Sequence, residues 1–141
     1  MRPGHALAAL AVVGLCCTAC TPQRQFSGVA RVTYPDGQAC FAIKPNEAPG
    51  EPGAQGTYWL RQIQVGDGQG HTVWQTTFSR PVARSQGACL AYGERLPGAT
   101  VDVSPVPLQA GEPYEVALIA AESGPDGEVK GYVAPFTPPG P

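Results

Sequence analysis

The residues of this 141-residue chain best suited to chemistry are five cysteines, two histidines, two tryptophans and a scatter of carboxylates. Past residue 20 the only histidine is His71, beside a glycine-rich turn. Without a second His or a free Cys nearby it makes a poor metal set, and it reads as a solvated turn residue. No serine sits in a G-x-S-x-G elbow, no H-E-x-x-H occurs, and no phosphate-cradling glycine loop opens a helix. Glu47, Glu51, Asp67 and Glu94 fall in predicted loops, where a carboxylate is ordinarily solvated. Two of them could meet in space as an acid–base pair, which sequence does not show, and solvated loop charges are far commoner. Trp59 and Trp74 could form a carbohydrate platform. Placed on facing strands of a predicted hairpin, they read instead as core or as a cross-strand aromatic pair. The expectation is a non-enzyme with no catalytic residue, no cofactor and no metal.

The cysteines are more informative. Met1-Arg2 is a short positive start, Ala6 to Leu15 is an unbroken apolar run, and Cys17-Thr18-Ala19 supplies small residues. This is the pattern of a secretory signal, cut between Ala19 and Cys20. Ala6 to Ala19 spans 14 residues, short of the roughly 20 that cross a bilayer core. The segment Cys17-Thr18-Ala19-Cys20 resembles the lipobox of bacterial lipoproteins, with Cys17 where a Leu is usual. By that resemblance Cys20 carries lipid, and two or more acyl chains anchor stably at about 0.8 kcal/mol per buried CH₂. Thr21, where an inner-membrane retention signal would have Asp, points to the outer membrane. Cys16 and Cys17 leave with the signal. Lipidated Cys20 is then spent, which leaves Cys40 and Cys89 to pair in an oxidising periplasm. Two unrelated buried thiols are the alternative.

The 122 residues after the cut suit one domain. The whole chain carries a formal charge of −2 and becomes slightly more acidic once Arg2 is removed. Its basic residues are scattered, which argues against nucleic-acid binding. Gly and Pro make up nearly a quarter of the residues and cluster between short apolar runs, so they act as punctuation. Cys20 to Gln25 is a short tether. Strands are expected at Phe26–Tyr34, Gln38–Ile43, Thr57–Val65, His71–Phe78, Ala88–Tyr92, Thr100–Val103, Tyr114–Ala121 and Val129–Phe136. Within Thr57–Val65, Trp59, Ile63 and Val65 should share a face opposite Tyr58 and Leu60. Pro45–Gly56 and Arg80–Gly87 are expected loops, and 137–141 a frayed, disordered tail. Seven or eight short strands with regular turns predict an all-β domain over 26–136, an antiparallel β-sandwich of immunoglobulin or fibronectin-III type. Leu108, Gly111 and Tyr114 have the spacing of a tyrosine corner, with Leu108 plugging the core and Gly111 easing the turn.

Taken in order, ACFAI (Ala39–Ile43), YWLRQIQV (Tyr58–Val65), VW (Val73–Trp74), ACLAYG (Ala88–Gly93), LQAGEPYEV (Leu108–Val116) and GYVAPF (Gly131–Phe136) resemble a known family. It is the small periplasmic lipoproteins described as type VI secretion immunity proteins. The resemblance covers about 100 residues and rests on order and spacing. It departs after Phe136, where relatives commonly continue into a Cys and this chain has Thr137. It implies a membrane-anchored periplasmic protein that binds and neutralises a secreted effector, with contacts on the Pro45–Gly56 and Arg80–Gly87 loops. It names no partner-binding residue. The alternatives are an accessory envelope lipoprotein and a small-ligand or glycan binder using Trp59 or Trp74.

Overall fold

The computed structural model describes residues 26–43 and 56–141. The signal segment, Cys20 with its tether, and the Pro45–Gly56 loop up to residue 55 lie outside the described residues. The all-β expectation holds. The strands are β1 (Phe26–Thr33), β2 (Cys40–Ile43), β3 (Thr57–Asp67), β4 (Thr72–Ser85), β5 (Leu90–Ala91), β6 (Ala99–Val103), β7 (Tyr114–Ala121) and β8 (Val129–Phe136). They bond into one sheet of order β5-β2-β1-β8-β7-β3-β4-β6.

One pairing departs from the expected antiparallel pattern. β1 runs parallel to β8 over Phe26–Val29, then antiparallel to β2 over Ala30–Thr33. A parallel pair needs a long crossover, and here nearly the whole domain supplies it. Because β1 belongs to both halves, the narrow wing β1-β2-β5 curls over the wide sheet, and both contribute to a single core. Phe41 of β2 meets Phe136 of β8 edge to face at 5.3 Å, and Tyr114 of β7 stacks on Phe136 at 5.6 Å. Phe41, Ile43, Leu60, Ile63, Leu90 and Leu118 are fully buried, each worth about 1.5–3 kcal/mol of transfer free energy.

The hairpin of β3 and β4 corrects two expectations. Leu60 pairs with Val82 but Gln62 pairs with Thr77, so Arg61 on one strand and Phe78 to Pro81 on the other fall out of register. The bulge resets the two-residue alternation. Tyr58, Leu60, Ile63 and Val65 therefore all point into the core, while Trp59 is turned outward and half-buried. Beyond the bulge β4 resumes pairing from Val82 to Ser85 with β3, so most of the expected Arg80–Gly87 loop is strand. Pro81 is accommodated within the irregularity, where no ladder N–H is required. The two tryptophans do not pair. Trp59 lies opposite Ala83, whereas Trp74 lies opposite Val65 and is buried.

The end of the chain is also better held than expected. The Tyr34 hydroxyl donates to the Thr137 carbonyl at 3.0 Å, and the Gly111 N–H donates to the Pro138 carbonyl at 3.0 Å.

Candidate recognition cleft

At the end of the sheet where β3 stops and β7 starts, Asp67 lies opposite Tyr114. An open cleft of about 440 Å³ is found there. Three segments wall it: the β3–β4 turn with Asp67 and Gln69, the stretch Val106–Pro107, and the approach to β7 with Gln109, Glu112 and Pro113. Each wall is fixed by a different local device.

The first is an Asx-type turn. One Asp67 carboxylate oxygen accepts the backbone N–H groups of Gln69 at 2.9 Å and His71 at 2.8 Å, and the other lies 3.2 Å from His71 Nδ1. These bonds, the His71 backbone N–H foremost, hold the Asp67 carboxyl below the usual carboxylate range. His71 itself is exposed at the turn.

The second wall depends on Tyr92. Its hydroxyl donates to the Val106 carbonyl at 2.7 Å and lies 3.3 Å from the Val73 carbonyl, while the Val106 N–H bonds the Val73 carbonyl at 3.0 Å. Its ring packs edge to face on Trp74 at 5.2 Å. Burial pushes the Tyr92 phenol up to about 12, so it remains a hydrogen-bond donor at neutral pH. Tyr92 directly follows β5, and its N–H bonds the Ala39 carbonyl at 2.9 Å. A disulfide joins Cys40 to Cys89, with Cα atoms 5.3 Å apart, just before β5. The brace therefore runs from the disulfide through β5 and Tyr92 to the cleft wall.

The third wall is set by Tyr114. Its hydroxyl accepts the Gln109 N–H at 3.0 Å, and its ring is packed in the core. Gly111 sits at φ +81°, a left-handed conformation costly for residues with a Cβ. Leu108 is half-buried and packs on the core.

No protein-family model, no curated protein and no solved structure matches the chain.

The lining suits binding. Asp67 and Glu112 are its only charged residues, both acidic, and they sit among Val73, Val106, Pro107 and Pro113. Among the described residues no group of three His, Cys, Asp or Glu side chains could hold a metal ion. Of the residues singled out in the sequence, the structure brings Asp67, His71 and Tyr114 to this end. Glu94 is engaged elsewhere, accepting the Ala91 N–H at 3.0 Å, and Glu47, Glu51 and Cys20 lie outside the described residues. Sequence reasoning missed Tyr92, Val106 and Glu112. The Asp-Gly-x-Gly run at 67–70 carried a readable Asx-turn signal. Tyr92 carried none, because its partner Val106 is set by tertiary folding.

Proposed function

We propose that this protein is a lipid-anchored periplasmic binding module whose partner is a protein. On the family resemblance, that partner is a type VI secretion effector acting in the periplasm, neutralised by being bound. The observation that carries the reading is the end cleft, whose three walls are each tied down before any partner arrives. A preorganised surface avoids the ordering cost that otherwise weakens association. The disulfide suits an oxidising compartment, and the lipobox-like segment ending at Cys20 supports an anchor, in the outer membrane by the residue at Thr21. We further infer that the curled sheet is a variant of the immunoglobulin or fibronectin-III sandwich. The wing β2-β5 would be one layer and β8-β7-β3-β4-β6 the other, a reading favoured by the Tyr114–Gln109 bond at the entry to β7.

The test is affinity capture from native lysate with the mature chain carrying Cys20→Ser, read by mass spectrometry and repeated with Glu112→Arg and Val106→Asp. One stoichiometric partner bearing a toxin domain, lost with both cleft variants, is the expected result. Recovery of envelope components alone would replace the reading with that of an accessory lipoprotein.

A further inference from the structure

The outer face of the wide sheet holds a second surface, independent of the cleft. Alternation along β7 turns Val116 and Leu118 inward and leaves Ala117 and Ile119 half-buried on the outside. The strand registers align one outer row as Val29, Val133, Ala117, Gln64 and Gln75. The adjacent row runs from Ile119 through Gln62 to Thr77. Neither row contains a charge. Within these two rows the apolar residues lie on the β1-β8-β7 side and the amides on the β3-β4 side, and the outward Trp59, opposite Ala121, adjoins the second row. Val29 is 63% exposed, the most of any large hydrophobic residue among those described. Asp102, bonded to Thr77, and Glu115 stand at the margins. An uncharged centre with a polar rim is the anatomy of a protein interface.

We propose that this face pairs with the same face of a second copy of the chain, about a two-fold axis running across the strands. Three observations select that occupant. A two-fold axis brings a patch onto itself, which a charged face would resist and this one does not. With the axis across the strands and between the two rows, like meets like: Ala117 packs on Ile119 of the second copy and Gln64 meets its Gln62. Each amide has both donors and acceptors. Within one chain the Gln62 amide donates to Gln64 at 3.4 Å and Gln64 to Thr72 at 3.1 Å, so capacity is left for a facing amide. The same operation sets Glu115 over Ala121 of the second copy and keeps the carboxylates apart. The area also suffices for a weak dimer. Four strands about 4.8 Å apart, each contributing about six residues at about 3.4 Å, together with the four residues of β1 that lie along β8, make roughly 450 Å². Two such faces bury roughly 900 Å², in the range of weak, reversible contacts.

Sedimentation velocity of the mature chain carrying Cys20→Ser, from about 10 μM to about 1 mM, tests this. Reversible dimerisation is expected at the upper end, weakened at least tenfold by Ile119→Lys and by Ala117→Asp. Mixing those two variants should restore association, because the new ammonium on one copy then faces the new carboxylate on the other. Gln64→Glu serves as the probe where either variant fails to fold. A monomer throughout the range, or a dimer indifferent to all three substitutions, would overturn the proposal. So would a captured partner protein whose binding Ile119→Lys abolishes while the free chain stays monomeric. Because Glu112 and Val106 lie off this face, loss of the cleft partner and loss of the dimer are separately observable.

Discussion

The cleft end and the outer sheet face are built on opposite principles. The positions on the face follow from strand registers, since ladder hydrogen bonds place its residues. The cleft is made mostly of turn and loop beyond the end of the β3–β7 ladder, and its shape rests on a few individual bonds: Tyr92 to Val106, Tyr114 to Gln109, and the disulfide behind β5. The narrow wing shows why a covalent link is needed. β5 offers β2 only two residues of pairing, too little ladder to hold a strand that must position Tyr92. Breaking a brace should therefore alter the cleft and leave the face intact.

The largest effect is expected from the disulfide. Cys40 and Cys89 are 49 residues apart, and closing such a loop is worth about 4 kcal/mol in the chain-entropy model. Replacing both by Ala should lower unfolding free energy by roughly 2–5 kcal/mol. At conditions where the variant remains folded, amide exchange should rise around Tyr92 and Val106 before it rises at Ala117 or Ile119.

The converse experiment strikes the sheet. The Tyr132 ring occupies the space a Cβ on Gly28 would take, an aromatic covering a strand glycine from its paired position across the β1–β8 pair. The Tyr132 hydroxyl is held by Glu122, so the ring cannot simply swing aside. Gly28→Ala should cost about 1–3 kcal/mol as overpacking, measured by urea unfolding. Partner capture at the cleft should survive it. Loss of capture in a folded Gly28→Ala protein would mean that the two regions are coupled.

Between these lie the two tyrosines. Tyr114→Phe leaves the Gln109 N–H without its half-buried acceptor, a loss of about 1–2 kcal/mol. Tyr92→Phe removes a donor from carbonyls that can find water, and should cost about 1 kcal/mol or less. The smaller stability change should bring the larger change in partner binding, because Tyr92 holds the apolar Val106 in the lining, whereas Tyr114→Phe keeps the ring that itself lines the cleft. Equal losses of binding in the two variants would show that the Val106 wall is not a contact.

What could be read in advance divides along the same line. β7 and β8 fall at Tyr114–Ala121 and Val129–Phe136 as their alternation predicts, with a Gly-Pro-Asp-Gly turn between them. Cys40 and Cys89 could be matched by parity. Arg61 could not be read as a bulge. The irregularity exists because Leu60 and Gln62 take partners five residues apart on β4, a property of the pair and absent from either segment alone. That slip is also what turned Trp59 outward and converted an expected loop into strand. The parallel meeting of β1 and β8 had no local signal, since it joins residues about a hundred positions apart. In the cleft, the Asx turn was local and legible, while the Tyr92 brace was long-range and was not.

The smallest effect sharpens the comparison by pH. Asp67 has its carboxyl held below the usual range, first by the His71 backbone N–H and then by those of Gln69 and the His71 side chain. A carboxyl whose value is depressed in the fold contributes stability above its unfolded value, about 3.9. That contribution is lost as pH falls through the depressed folded value. The turn should therefore be fully ordered at neutral pH and loosen below about pH 4, seen as faster relaxation and shifted resonances of the Gln69 and His71 amides. Asp67→Asn, which keeps one acceptor oxygen but not the charge, should flatten that profile. The outer face, with no titrating group in either row, should show no transition in the same window. A transition of equal size at Gln62 and Gln64 would show that the turn and the face melt as one unit, and the braced-end account would fall with it.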